Sequence, residues 1–123
     1  MHELSVCLAL IGQLEEIARQ RQARITEARV GIGPLSGIEP QLLAAAYPLA
    51  CAGTVAEGSI LAIEERPLRV RCRHCGAESD ASPNRLLCGD CGDWHTDVIA
   101  GNEMLLLQVE LEPLTQKSEA EHV

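Results

Sequence analysis

The sequence predicts an α+β fold: a small three-stranded sheet packed with two helices, carrying an inserted four-cysteine zinc-ribbon domain. Three observations predict it. Apolar residues recur at helical spacing over 3–21 and again after Glu39-Pro40. They alternate at strand spacing over 25–32, 59–66 and 104–112. Between the last two strands lie two Cys-x-x-Cys pairs, each followed at once by glycine.

Taken in order, the first helix has Leu4, Cys7, Ile11, Leu14 and Ala18 on one stripe, widened by Leu8, Leu10 and Ile17. Gln13, Glu15, Glu16, Arg19 and Gln20 mostly face water. Cys7 on the stripe reads as a buried free thiol. In the strand at 25–32, Ala28, Val30 and Ile32 face a core while Glu27, Arg29 and Gly31 face away. Gly33-Pro34 and Ser36-Gly37 then break the chain into a loop. Proline suits the first position of the second helix, whose expected apolar face is Leu42, Leu43, Ala46, Leu49 and Ala50. Pro48 lacks an N–H, which predicts a kink or an early end near Ala46. Cys51 reads as a packed small residue, and Gly53 as a helix stop. Leu61 and Ile63 share one face of the second strand, and Pro67 ends it. In the third, Leu105, Leu107, Val109 and Leu111 alternate with Leu106, Gln108, Glu110 and Glu112. The expected division is an α+β domain of residues 1–67 plus 101–113, a ribbon domain at 68–100 and a disordered tail at 114–123.

The cysteine pairs are Cys72-Arg73-His74-Cys75 and Cys88-Gly89-Asp90-Cys91, with twelve residues between them. Two residues between cysteines let a tight turn bring both sulfurs onto one ion, and a glycine after the second accepts a positive φ. Four thiolates close a tetrahedral zinc site with no open position, which makes the zinc structural. The intervening loop is shorter than the usual spacing of roughly 15–20 residues, yet long enough to return one knuckle to the other. Disulfides are the competing reading of six cysteines in a short chain. The N-terminus lacks a cationic region and an apolar run of signal-peptide type, so the pairs read as metal ligands in a cytoplasmic protein. His74 and His95 lie close enough to replace a cysteine if the site rearranged, although exposed knuckle-loop histidines are the plainer reading.

Charge narrows the function. The formal net charge is −8, and within 68–100 the arginines Arg69, Arg71, Arg73 and Arg85 are offset by Glu78, Asp80, Asp90, Asp93 and Asp97. Nucleic-acid binding draws most of its affinity from neutralising phosphates, so the chain is a poor candidate for it. Tyr47 and Trp94 are the only aromatics, leaving almost no stacking platform. No run reaches the roughly 18 apolar residues of a membrane span. A closed four-thiolate site leaves no coordination position for substrate, and no nucleophile–base pair stands out, so no catalytic residue is expected.

The N-terminus offers a second metal site. The amine of Met1, the backbone nitrogen of His2 and its imidazole can close adjacent chelate rings around square-planar Ni(II) or Cu(II). Glu3 adds a further backbone nitrogen or a carboxylate oxygen. As two residues alone, this is a weak motif.

Met1-His2-Glu3-Leu4-Ser5, the stretch Ile32-Gly33-Pro34-Leu35-Ser36-Gly37-Ile38-Glu39-Pro40 and the late pair of knuckles occur here in one order. Together they resemble the HypA/HybF family of hydrogenase nickel-incorporation proteins, over residues 1 to about 112. The resemblance implies a metallochaperone that delivers nickel to the [NiFe]-hydrogenase large subunit and cooperates with a nickel-insertion GTPase. Carried over, Met1, His2 and Glu3 bind nickel, and Cys72, Cys75, Cys88 and Cys91 bind zinc. Pro48 departs from the continuous helix expected of relatives. A monomer or weak homodimer is expected. The alternative reading is a zinc-ribbon module for protein interaction or nucleic-acid binding.

Overall fold

The computed structural model describes residues 3–114. Its elements run α1 (Glu3–Arg21), β1 (Ala23–Ile32), α2 (Pro40–Cys51), β2 (Ile60–Glu65), β3 (Leu68–Cys72), β4 (Glu78–Ala81), β5 (Thr96–Ala100) and β6 (Met104–Pro113). They build two three-stranded sheets, one ordered β2-β1-β6 and the other β4-β3-β5. The expected three-stranded sheet with two helices is therefore present, and the ribbon carries a sheet of its own. Most of the tail expected at 114–123, and Met1 and His2, lie outside the described residues.

The chain divides into two compact units. The first comprises Met1–Val30, Glu39–Ala62 and Leu106–Val123; the second comprises Gly31–Ile38 and Ile63–Leu105. In the first, α1 packs against α2. Cys7, Leu10, Ile11, Leu14 and Ala18 of α1 are buried with Ala23, Ile25, Ala28 and Val30 of β1 and with Leu43, Tyr47 and Cys51 of α2. Leu4 and Leu8, expected on the buried stripe, are instead 53% and 57% exposed. Each follows a buried residue, Glu3 or Cys7, and one step turns a helix by about 100°.

Two expectations for α2 are corrected. The helix does not end near Ala46; it runs through Pro48 to Cys51. Its buried residues are Leu43, Tyr47 and Cys51, a clean i, i+4, i+8 ladder, while Leu42 and Leu49 are exposed. Both corrections have one cause. Pro48 and Ala44, the residue whose carbonyl loses its i→i+4 donor, lie on the exposed face, where water can serve that carbonyl. The ladder that anchors the helix is untouched. Tyr47 on it places its hydroxyl 2.8 Å from Ser59 Oγ.

The alternation in β6 is also not the one expected. Met104 and Leu106 are half-buried and Leu105 and Leu107 are exposed, whereas further on Val109 and Leu111 are the half-buried pair. The inward parity slips by one residue at Leu107-Gln108.

In the second unit, β3 is central and antiparallel to both neighbours, pairing Val70 with Ser79 and with Val98. Leu68, Val70 and Cys72 point inward and are buried. The opposite face carries an ion-pair ladder: Arg69 to Asp80, Arg71 to Glu78 and Arg73 to Asp97, each 2.6 Å. Leading into this unit, the loop after β1 crosses the chain before β6 at two glycines. Gly33 N–H donates to the Glu103 carbonyl at 3.1 Å and Leu35 N–H to the Gly101 carbonyl at 2.8 Å. A Cβ on Gly33 would stand 2.2 Å from the Gly101 oxygen.

Candidate metal centre

The two knuckles fold by the same local rule. In the first, Gly76 N–H donates to the Cys72 carbonyl at 3.0 Å, and Cys72 N–H donates to the Ala77 carbonyl at 2.9 Å. In the second, Gly92 N–H and the Cys88 carbonyl, and Cys88 N–H and the Asp93 carbonyl, repeat both bonds at 3.0 and 2.9 Å. Gly76 and Gly92 have φ of 79° and 78°, the left-handed conformation that the turn needs and that glycine adopts without strain. The turn aims backbone N–H groups at sulfur. His74 and Cys75 donate to Cys72 Sγ at 3.3 Å each, and Asp90 and Cys91 donate to Cys88 Sγ at 3.3 and 3.4 Å.

These turns bring Cys72, Cys75, Cys88 and Cys91 together, with all four sulfurs within 4.8 Å of one another. Cys72 and Cys91 sulfurs are 3.6 Å apart, and those of Cys75 and Cys88 are 3.5 Å apart. Four sulfurs bound tetrahedrally at about 2.3 Å from one ion would be separated by about 3.8 Å. The donor set thus fits a thiophilic, four-coordinate metal, and no disulfide links it. The N–H groups of Cys91 and Asp90 draw the Cys88 thiol down to about 7 against the burial that opposes them, so it ionises readily for a metal.

The remaining cysteines stay apart from this centre. Cys7 and Cys51 are buried free thiols in the helical unit, as packed small residues should be, and Cys7 Sγ lies 3.8 Å from the Leu43 carbonyl. Of the N-terminal candidates, Met1 and His2 fall outside the described residues. Glu3 is described: it is the first residue of α1, it is buried, and its carboxylate accepts the Glu39 N–H at 3.2 Å. His74 and His95 are exposed and neither belongs to the gathered sulfur set. His95 binds Asp93 Oδ1, with its N–H at 2.8 Å and its Nδ1 at 2.6 Å, and its ring stacks on Trp94.

Sequence reasoning missed two supports of the centre. Ser79 Oγ on β4 accepts the Gly89 N–H at 2.9 Å, which ties the second knuckle to the sheet. Gly89 fits there because a Cβ would come within 2.9 Å of Ser79 Cβ. Thr96 Oγ1 donates to the Leu86 carbonyl at 2.8 Å and holds the loop entering that knuckle. No periodicity marks either residue; only the register of β4 and β5 on β3 reveals them.

A chain that couples a helix-and-sheet unit to two knuckles converging on four thiolates is a small metal-binding protein. Comparison with known proteins narrows this class. The family described as "Hydrogenase/urease nickel incorporation, metallochaperone, hypA" matches residues 1–111. The hydrogenase maturation factor HypA of Nitrosospira multiformis is 48% identical over 112 residues, 90% of this chain and 97% of that protein. The HypA of Aquifex aeolicus is 41% identical over 113 residues, covering 91% and 98%. The solution structure of the Ni metallochaperone HypA from Helicobacter pylori superimposes with a TM-score of 0.73 at 30% identity, over 92% of this chain and 99% of that one. The chain belongs to the HypA family of nickel metallochaperones for hydrogenase maturation.

Proposed function

We propose that this chain binds Ni(II) at its N-terminus through the Met1 amine and through the backbone nitrogen and imidazole of His2, and passes it to the [NiFe]-hydrogenase large subunit with a nickel-insertion GTPase as partner. The observation that carries this reading is membership of the HypA family, with Met1-His2-Glu3 at the head of the matched region. Of the two donors offered by Glu3, the backbone nitrogen is the better ligand. Its carboxylate already serves the Glu39 N–H, whereas its backbone nitrogen directly follows the His2 nitrogen along the chain and can close a further chelate ring. Delivery is then ligand exchange: a few nitrogens at the chain terminus yield the ion to acceptor thiolates that bind it more strongly.

In the same reading Cys72, Cys75, Cys88 and Cys91 hold a structural zinc. The all-thiolate donors, their tetrahedral spacing and the N–H groups aimed at sulfur support that ion. Zinc there fixes the two knuckles relative to β3 and leaves no position for substrate. The ladder of Arg69, Arg71 and Arg73 supports a protein-facing ribbon over a nucleic-acid reader, because each guanidinium is already neutralised by a carboxylate.

Calorimetry with Ni(II) on protein bearing its native N-terminus, with zinc counted by elemental analysis, tests the proposal. One bound Ni(II), lost in His2→Ala and in a form with one extra residue before Met1 while zinc is retained, is the expected result. Nickel binding that survives both changes refutes the terminal site.

A further inference from the structure

Beside the thiolate cluster the ribbon holds a second, half-assembled set of metal donors. Arg73, His74, Asp93 and His95 line an open cavity of about 300 Å³. One edge of it is already ordered. Asp93 Oδ1 takes the His95 N–H at 2.8 Å and lies 2.6 Å from His95 Nδ1. A carboxylate on one ring nitrogen is the arrangement that fixes the tautomer and orientation of a metal-binding imidazole and leaves the other nitrogen to bind. Trp94 stacks on the same ring, with centroids 3.7 Å apart and planes inclined by 28°, and so restrains it from a second side. The positive charge in the wall is occupied elsewhere, since Arg73 donates to Asp97 Oδ1 through Nε at 3.0 Å and through a terminal nitrogen at 2.6 Å.

We propose that His74 and the outward nitrogen of His95, whose ring Asp93 holds in place, form a second, exchangeable site for an imidazole-preferring divalent ion such as Ni(II) or Cu(II), separate from the four-thiolate centre. Among the described residues only the four thiolates are already gathered within 4.8 Å. The second set closes when the exposed His74 side chain turns across the cavity, while the backbone N–H of His74 stays on Cys72 Sγ at 3.3 Å. Two imidazoles leave coordination positions to water or an incoming ligand, which is what a site of passage needs and a structural site does not. No cysteine is given up, so the thiolate centre keeps its ion throughout.

The test uses the full zinc-loaded chain with one extra residue before Met1, which removes the terminal chelate. Ni(II) and, separately, Cu(II) are titrated while the fluorescence of Trp94, the only tryptophan, is followed. Either open-shell ion bound at His95, against the stacked indole, quenches that emission. Saturable quenching at one equivalent is expected, weakened at least ten-fold in His95→Ala and in His74→Ala. Zinc should remain at one per chain, and the thiolate-to-metal bands of a cobalt-substituted centre should not change. Absence of saturable quenching, quenching unaltered in both variants, or altered cobalt bands on addition of nickel would each overturn the proposal. Because the terminal chelate is already blocked, none of these failures bears on nickel binding there.

Discussion

The carboxylate of Glu3 accepts the backbone N–H of Glu39 at 3.2 Å, so the first residue of α1 caps the start of α2. Glu39 makes no side-chain cap of its own. A negative charge is favourable at a helix N-terminus, where N–H groups lack intrahelical partners. Glu3 follows the proposed nickel chelator His2, so in that proposal its side chain serves structure and its backbone nitrogen serves metal. Glu3→Gln should keep one bound Ni(II), because it retains the backbone nitrogen, but should melt at a lower temperature. Glu3→Ala should melt lower still, having lost the acceptor altogether. Calorimetry beside thermal denaturation separates the two roles. A folded Glu3→Gln protein without nickel binding would show that the carboxylate itself is a ligand.

Pro48 is a second point where local chemistry and packing oppose each other. The helix keeps its turn there because Leu43, Tyr47 and Cys51 anchor the opposite face, while Pro48 itself is exposed. Pro48→Ala should therefore restore the bond to the Ala44 carbonyl without disturbing the buried ladder. A gain of roughly 1–3 kcal/mol follows from the cost of proline in a helix interior. Leu43→Ala on the ladder should cost about 2–5 kcal/mol by cavity formation. Urea unfolding of both variants checks the pair, and a Pro48→Ala protein less stable than the parent contradicts the account.

The Pro48 outcome shows where the sequence was readable. Periodicity located both helices and the strands of the first sheet, since each is marked by a run of side chains that repeat at one spacing. It misplaced faces where a long-range constraint intervened. Leu42 and Leu49 look as apolar as Leu43, but the packing of α2 on α1 selected the ladder of Leu43, Tyr47 and Cys51. In β6 the slip at Leu107-Gln108 is invisible because apolar residues occupy both parities before it. The metal centre was legible almost whole, since Cys-x-x-Cys-Gly encodes its turn within five residues. Ser79 and Asp93 were not, because their partners come from another strand or from a turn whose shape the residue names do not specify.

Gly33 and Gly101 make the backbone crossing that fastens the loop after β1 within the second unit. A Cβ on Gly33 would lie 2.2 Å from the Gly101 carbonyl oxygen and 2.5 Å from its Cα, both backbone atoms that cannot swing aside. Gly101 has φ of +102°, and a Cβ there would meet Leu68 Cα at 2.7 Å. Gly33→Ala and Gly101→Ala should each destabilise this unit by more than about 2 kcal/mol, in the upper range for single substitutions. Gly37→Ala is the control: φ is +79° but nothing lies within 4 Å, so only the backbone strain of about 1 kcal/mol applies. Chemical denaturation followed through Trp94, which lies in the same unit, reads all three. Equal losses in the three variants would place the cost in backbone conformation and remove the crossing from the explanation.

Removing metal should act on the ribbon and on pH dependence together. In the ribbon sheet and its knuckles the buried apolar residues are Leu68, Val70, Cys72 and Cys88, and two of these belong to the four-cysteine cluster itself. So small a core cannot hold β3, β4 and β5 without the ion, and structural zinc commonly contributes about 10–16 kcal/mol of apparent binding energy at neutral pH. After exhaustive chelation, amides of Val70 and Val98, paired across β3 and β5, should lose hydrogen-exchange protection, while those of Leu10 and Leu14 in α1 keep it. Rebinding zinc releases the protons still held by the thiols. With the ribbon released, the knuckle N–H groups no longer aim at sulfur, and thiols of an unfolded chain, with an ordinary value of about 8.5, are protonated at pH 6 and partly ionised at pH 8. Proton release, measured by calorimetry in buffers of different ionisation enthalpy, should therefore approach four per zinc at pH 6 and fall below four at pH 8. Affinity should weaken as pH drops, because each proton bound competes with the metal. A release that is the same at both pH values would mean that no thiol of the metal-free ribbon ionises in this range.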